Sequence, residues 1–351
     1  MKRIHFFPFV LLALLVLSGC GKEQFISAQD NVLVSRPDGF PALEIPEDNP
    51  ITPAGVHLGR RLFYDPILSG DSTQSCSSCH NQAFGFTDNG LRWSIGIDSI
   101  EGDRNSMQII NLMWAEDLFW DGRNRGLESQ AIEPVINEIE MHETWENVIV
   151  KLSRHPLYPK WFEQAFGPNS VSQENAAKAI AQFERTLISG DTKYHRWRYG
   201  RPGGELTASE DRGRILFFGE KAECFHCHLD ITFTDNLFHN NGLDRIFNED
   251  NQGRFAVTGQ EEDMGAFRTP TLINIDVTGP YMHDGRFQTL EEVVEHYSDH
   301  VQFSIFLDPL IRPNGFELEE DEIEDLVVFM KTLTDYDFLT NPDFGDPWLE
   351  D

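Results

Sequence analysis

Basic residues are scarce in this chain of 351 residues, which has 28 lysines and arginines against 58 aspartates and glutamates. The formal net charge is −30, and a field of this sign repels the phosphate backbone, which excludes nucleic acid as a partner. The same field would steer basic macromolecules toward the surface. With 40% hydrophobic residues, the composition is that of a folded protein, and the length suits two domains.

Long apolar runs are also lacking. Residues 6–17 form an apolar run after Lys2 and Arg3, but this run is too short for a stable membrane span. It ends in LSGC at Cys20, and small residues before a cysteine are typical of a bacterial lipoprotein cleavage box. A plain secretory signal with an incidental cysteine is the alternative. We predict that residues 1–20 are a lipoprotein signal peptide ending at the lipidated Cys20. The mature protein would face the periplasm, attached to a bacterial membrane, the outer one, only through its lipid.

Cysteine is rare as well, with five in the chain and four after Cys20. An even count in an exported protein usually indicates disulfides, but here both pairs are CxxC followed by histidine. CSSCH (76–80) and CFHCH (224–228) are typical of c-type haem attachment, in which two thiols bind the porphyrin and the histidine binds iron. A redox dithiol or a zinc site is the alternative for a single copy. Two copies favour two covalent haems, held by Cys76, Cys79, His80, Cys224, Cys227 and His228.

The two motifs lie in an internal repeat of helix, CxxCH and an FTD turn. Strand-like alternation is scarce, so we predict a mainly α protein with few short strands and one haem domain per motif. Residues 198–210 are rich in glycine and charge and form the best linker candidate. The predicted boundaries are 21–202 for the N-terminal haem domain and 203–351 for the C-terminal one.

The order of several longer strings resembles the bacterial dihaem cytochrome c peroxidases and their relatives, the MauG-like maturation enzymes of methylamine utilisation. The first half contributes YDPILSGDSTQSCSSCHNQAFGFTD, GDRNSMQIINL, FWDGR and EPVINEIEM. The second half contributes CFHCH, FHNNGL, GRFAVTGQEEDMGAFRTPTLINI, TGPYMHDGRFQTLEEVV and LVVFMKTLT. The resemblance implies two cytochrome c-like haem domains, the first peroxidatic and the second transferring electrons.

Position by position, the resemblance implies roles on the peroxide side of the first haem. Glu140 matches the distal glutamate that moves a proton between the peroxide oxygens, Gln130 matches a distal glutamine and Pro134 a distal proline. Trp120 matches the tryptophan that carries a hole between the two haems. The alternatives are a solvated acid, a surface glutamine, a loop proline and a core tryptophan.

The resemblance also implies a calcium ion between the domains, at Asn105, Thr278 and Pro280. Hard oxygen donors, including backbone carbonyls, suit this ion. The calcium would hold the two haem domains in register.

One departure from the peroxidase pattern lies in WSIGIDSIEGDRN, where Ile97 stands in place of a histidine that blocks the peroxide iron. Because isoleucine cannot bind iron, we expect an open or water-bound first haem that needs no reductive activation. A neighbouring loop could bring His142 to this position instead.

The other departure lies in EEVVEHYSDH (291–300), where Tyr297 stands in place of the methionine that binds the second haem. Leu290, Val293, Val294 and Tyr297 share one face of the predicted helix, so core packing is the alternative role for this tyrosine. His296 points roughly 100° around the helix, and Met282 is another candidate ligand. The maturation enzymes have tyrosine at this position, and a phenolate favours ferric and higher states.

The sequence is compatible with three functions. The leading one is a peroxidase that reduces hydrogen peroxide with electrons from a small, basic cytochrome c or copper protein. The second is a MauG-like oxidase that uses a His/Tyr second haem and high-valent iron to modify tyrosine or tryptophan on a docked protein. The third is a dihaem electron carrier without peroxide chemistry. The resemblance also favours a homodimer.

Overall fold

A computed structural model describes residues 25–28 and 31–349. The predicted lipidation site, Cys20, lies outside the described residues. Helices dominate and the strands are few and short, which confirms the predicted fold class. Within the described ranges, no helix combines the length and apolar character needed to cross a membrane.

The α-helices are α1 Pro53–Tyr64, α2 Cys76–Cys79, α3 Leu127–Gln130, α4 Glu133–Ile136, α5 Trp145–Arg154, α6 Tyr158–Phe166, α7 Gln173–Glu184, α8 Lys193–Arg198, α9 Ala208–Phe217, α10 Phe255–Thr258, α11 Leu290–Asp299, α12 Glu320–Lys331 and α13 Tyr336–Leu339. The strands form three antiparallel pairs, β1 Phe25–Ala28 with β2 Asn31–Ser35, β3 Asp117–Leu118 with β4 Asn124–Arg125, and β5 Phe238–His239 with β6 Phe267–Arg268.

Side-chain caps fix where the longer helices begin. Thr207 with Glu210 and Thr289 with Glu292 form reciprocal capping boxes at the starts of α9 and α11, which satisfy backbone N–H groups that have no partner inside the helix. The amphipathic sequence 175–190 predicts a helix that stops at Gly190, but helix α7 ends six residues earlier, at Glu184. The chain from residue 185 onward leaves the helix because other elements take its hydrogen bonds, such as that from the Gly190 N–H to Asp335 (3.0 Å).

Each half of the molecule contains one close helix crossing made possible by a glycine. Gly59 of α1 lies against α7, where an added methyl group would sit 1.9 Å from the carbonyl oxygen of Ala179. Gly213 of α9 lies against α12 with the same 1.9 Å spacing to the carbonyl oxygen of Asp325. The local sequences match, GRRLF (59–63) and GRILF (213–217). The repeat therefore extends from the haem motifs to the helix packing that precedes each of them.

The main hydrophobic core crosses from one half of the chain to the other. It joins Phe63 and Phe183 of the first half to Phe217 and Phe329 of the second. A separate core lies within the first half, where α1 and α5–α7 pack together. The boundary at residues 202 and 203 remains a prediction, because the main core is shared by both halves.

Gly59→Ala should destabilise the protein by about 1–3 kcal/mol, since overpacking a tight contact costs more than the roughly 1 kcal/mol of added helix propensity. The measurement is urea unfolding of the holoprotein. Gly102→Ala is the control, because its nearest neighbour outside the adjacent residues is Ser94 O at 3.5 Å. Equal stability of the two variants would contradict the close crossing.

Candidate functional site

The two CxxCH motifs sit on short helical turns. Helix α2 places Cys76 and Cys79 on one turn, whereas Cys224 begins a 3₁₀ turn that ends before Cys227. All four thiols are free, so neither pair forms a disulfide. In both motifs the histidine N–H donates to the carbonyl of the first cysteine at 3.0 Å. The two motifs therefore share this hydrogen bond, although the second contains a 3₁₀ turn where the first has an α-helical one.

Each motif histidine is oriented by a backbone carbonyl. His80 Nδ1 donates to Phe86 O (2.8 Å), and His228 Nδ1 donates to Phe233 O (3.0 Å). Both phenylalanines begin the FTD turns and have positive φ, 60° and 51°, which is unusual for a bulky residue. Burial lowers the pKa of both histidines. They are therefore neutral, with Nε2 available to bind a metal.

The pKa values of Cys76, Cys79 and Cys224 do not suit a redox dithiol. Burial raises the pKa of Cys79 to about 11 and that of Cys224 to about 12, and it raises the pKa of Cys76 as well. Reactive dithiols require a lowered thiol pKa. These three half-buried thiols fit covalent attachment to a cofactor better.

A cavity of about 200 Å³ adjoins the second motif, and His228 and Tyr297 both line it. Arg268, also in its wall, is buried and donates to Asn236 Oδ1 (3.1 Å), while its Nε has no partner among the described residues. Gln108 Oε1 is likewise buried there without a partner in the described part of the chain. A buried cation calls for an anion, and the propionates of a haem would supply one. These residues fit the predicted haem.

Tyr297 faces this cavity from α11. Asn241 Nδ2 lies 3.0 Å from Tyr297 Oη and 3.6 Å from Met282 Sδ, so one amide contacts both candidate iron ligands. Burial raises the pKa of Tyr297 well above its ordinary value. His296 is directed elsewhere, because its Nε2 bonds to Asn241 O (3.1 Å). The residues present offer Tyr297 as one ligand, with Met282 beside it.

The predicted distal residues of the first haem meet through backbone hydrogen bonds. The N–H of Ile97 donates to Glu140 O (3.0 Å), and the N–H of Met141 donates to Pro134 O (3.2 Å). Asn137 Nδ2 donates to Glu140 Oε1 (2.6 Å). Burial raises the pKa of Glu140 despite this hydrogen bond. Ile97 and Pro134 therefore lie beside the candidate acid–base residue.

The charge of Glu140 acts on both thiols of the first motif, which places its carboxylate near the predicted first haem. Gln130 ends α3, half-buried, one helical turn before Pro134. His142 does not join this group. Its imidazole is 53% exposed and pairs with Asp98 at 2.5 Å, so it is a surface residue here.

Trp120 connects the two halves. Its indole N–H donates to Asn105 O (2.8 Å), and its carbonyl accepts from the N–H of Arg268 (2.8 Å). The N–H of Asn105 donates to His283 O (2.8 Å). The three residues predicted to bind calcium, Asn105, Thr278 and Pro280, line the same cavity.

A family model described as di-haem cytochrome c peroxidase matches residues 53–202. The methylamine utilization protein MauG of Methylorubrum extorquens is 38% identical over 85% of this chain and 82% of its own length. This chain belongs to the dihaem cytochrome c peroxidase family. Another member, the cytochrome c551 peroxidase of Nitrosomonas europaea, is 36% identical over 84% of this chain and 83% of its own.

A solved structure supports the same conclusion. The crystal structure of a MauG-like protein associated with microbial copper homeostasis superimposes with a TM-score of 0.84 and 37% identity, covering 89% of this chain and 98% of the other. As a member of this dihaem family, the protein is an oxidoreductase with two c-type haems. The two CxxCH motifs stay the predicted attachment sites.

Sequence reasoning missed three residues that this family member places near its haem sites. Arg268 and His239 occur within strings that carry the family resemblance, GRFAVTGQEEDMGAFRTPTLINI and FHNNGL, but the sequence assigned neither residue a role. Glu184 is hidden among 58 acidic residues. It is buried, one of its oxygens lacks a partner in the described part of the chain, and its charge acts on Cys76. A glutamate inside an otherwise apolar helix face was the available signal.

Glu184 should make stability depend on pH. Burial raises its pKa from 4.5 to about 8, so the folded state keeps a proton that the unfolded state has lost. Stability contributed by this proton is complete below pH 4.5 and is lost as the pH rises to about 8. Glu184→Gln should remove this loss, at most about 1.4 kcal/mol per pH unit. Guanidinium unfolding of the holoprotein at pH 5, 6.5 and 8 measures it.

The control is Glu174→Gln, an exposed glutamate of the same helix that pairs with Lys178. The difference in unfolding free energy between Glu174→Gln and the unmodified protein should stay constant from pH 5 to pH 8. If the unfolding free energy of Glu184→Gln changes with pH in parallel with that of the unmodified protein, Glu184 is ionised in the folded protein.

Proposed function

We propose that this protein is a peroxidase that reduces hydrogen peroxide to two waters, consuming two electrons and two protons. The observation that carries the proposal is Glu140, a half-buried carboxyl whose pKa is raised by desolvation and whose charge acts on both thiols of the first haem motif. The 36% identity to the cytochrome c551 peroxidase of Nitrosomonas europaea also supports this proposal.

Glu140 has the properties of an acid–base group. When bound, the first haem supplies the redox chemistry that cleaves the O–O bond. Glu140 accepts the proton of one peroxide oxygen and delivers it to the other, which leaves as water. Asn137 holds the carboxylate by its 2.6 Å hydrogen bond, and Gln130 and Pro134 complete the proposed peroxide side.

Ile97 leaves the first haem accessible in this proposal. Its backbone N–H donates to the carbonyl of Glu140, and its side chain has no atom that can bind iron. The enzyme would therefore work from the ferric state without prior half-reduction.

The remaining parts of the proposal follow the sequence. The N-terminal domain (21–202) would be peroxidatic and the C-terminal domain (203–351) would transfer electrons through Trp120. The donor would be a small basic cytochrome c or copper protein, attracted by the net charge of −30. The proposal also includes a calcium ion at Asn105, Thr278 and Pro280. It includes a lipid anchor at Cys20, on the periplasmic side of the outer membrane, and a homodimer.

A second function is favoured by Tyr297, which faces the C-terminal haem cavity. The relative that is 38% identical is a methylamine utilization protein MauG. In this alternative, the protein would oxidise tyrosine or tryptophan side chains on a docked protein instead of drawing electrons from a donor. A dihaem electron carrier is the third possibility, and the half-buried Glu140 with its raised pKa argues against it.

The test of the peroxidase is to mix ferric protein with peroxide, record the spectrum, and then measure turnover with reduced cytochrome c. Fast turnover without reductive activation is expected. Glu140→Gln should slow it by about 10²–10⁴-fold, while Glu138→Gln, an exposed acid of the same loop, should not.

The other outcomes separate the alternatives. A long-lived oxidised species with negligible turnover would reject the peroxidase and support oxidation of a protein substrate. An unchanged spectrum would leave only the carrier. Normal turnover in Glu140→Gln would reject its acid–base role.

Tyr297→Phe should convert the C-terminal haem to high spin or allow Met282 to bind, because Met282 Sδ contacts the same Asn241 amide. Electron paramagnetic resonance and the optical spectrum report the ligand change. Tyr281→Phe is the control, since Tyr281 lines the same cavity but donates to Ile275 O. An unchanged low-spin signal in Tyr297→Phe would remove this tyrosine from the iron.

A further inference from the structure

A histidine outside the predicted site lies between two carboxylates beside the second haem motif. His239 Nε2 is 2.9 Å from Asp235 Oδ2, and His239 Nδ1 is 2.6 Å from Asp308 Oδ2. The side chains of His239, Asp235 and Asp308 are only 14%, 8% and 15% exposed. We call these three residues the Asp–His–Asp cluster.

The geometry of this cluster fixes its charge. A carboxylate only accepts hydrogen bonds, so both nitrogens of His239 must carry a proton, and the ring is an imidazolium. Burial alone would lower the pKa of His239, but the hydrogen bonds to Asp235 and Asp308 outweigh it and raise the pKa to about 12. The ring therefore keeps its charge throughout the physiological range.

The cluster adjoins the C-terminal haem site. A ring nitrogen of His239, a carboxylate oxygen of Asp235 and the sulfur of Cys227 lie within 4.8 Å of one another. His239 also lines the cavity that contains His228 and Tyr297. Asp308 comes from the segment after α11, and its N–H donates to Asn240 O (3.0 Å). A residue 69 positions away thus holds His239 against the attachment cysteine.

We propose that His239 is a fixed positive charge that raises the reduction potential of the C-terminal haem, with Asp235 and Asp308 holding it beside Cys227. A nearby cation stabilises the haem that has gained an electron. The negative charge of the protein and a tyrosine ligand would both favour the oxidised haem iron. The positive charge of His239 opposes both effects. The proposal rests on the haem shared by the family and is independent of the reaction with peroxide.

The test is a spectroelectrochemical titration of the holoprotein. His239→Gln should lower the reduction equilibrium constant of the C-terminal haem about tenfold, which is about 59 mV for one electron. Asp308→Asn removes a negative charge and should shift the potential in the opposite direction. The low-spin spectrum should be retained in both, because the iron ligands do not change.

The control is His300→Gln, the same substitution at a histidine that is 67% exposed and pairs with Asp299. It should leave the potential unchanged. A purely structural cluster would give shifts of the same direction in His239→Gln and Asp308→Asn, or none beyond the control, and either result overturns the proposal. If His239→Gln fails to retain haem, Asp308→Asn decides alone, since a fall or no change in its potential also overturns it.

Discussion

The hydrogen bond from a motif histidine to a backbone carbonyl is the interaction on which both haem sites depend. It fixes the tautomer of His80 and of His228 and therefore which nitrogen can bind iron. The carbonyl is correctly aimed only because Phe86 and Phe233 adopt positive φ, and both are fully buried. Core packing thus maintains a costly backbone conformation, and the FTD turn is part of the ligand geometry.

Much of this architecture was predictable, because it is encoded locally. The CxxCH spacing, the FTD repeat and the capping residues each act within a few positions of the chain, and the structure contains them all. The inward face of Tyr297 follows from helical periodicity. The family resemblance predicted a role for Glu140, whose neighbours Ile97 and Asn137 come from nearby loops.

What could not be predicted depends on distant contacts. Asp308, which pairs with His239, lies 69 residues further along the chain, and no periodicity links the two. The burial of Glu184 and of Arg268 is a property of packing, so composition alone leaves them among many similar charges. The early end of α7 has the same origin, since Asp335 captures the N–H groups of Gly190 and Asp191.

The contacts of Trp120 have a consequence for how the halves communicate. The indole of Trp120 donates to Asn105 O, and peptide hydrogen bonds link Trp120 to Arg268 and Asn105 to His283, while one hydrophobic core spans both halves. A hinge motion would have to break these bonds and open the core together. In the proposed function, the path between the two haems would therefore keep a constant length, and the rate of electron transfer along it would depend on driving force rather than on conformational gating.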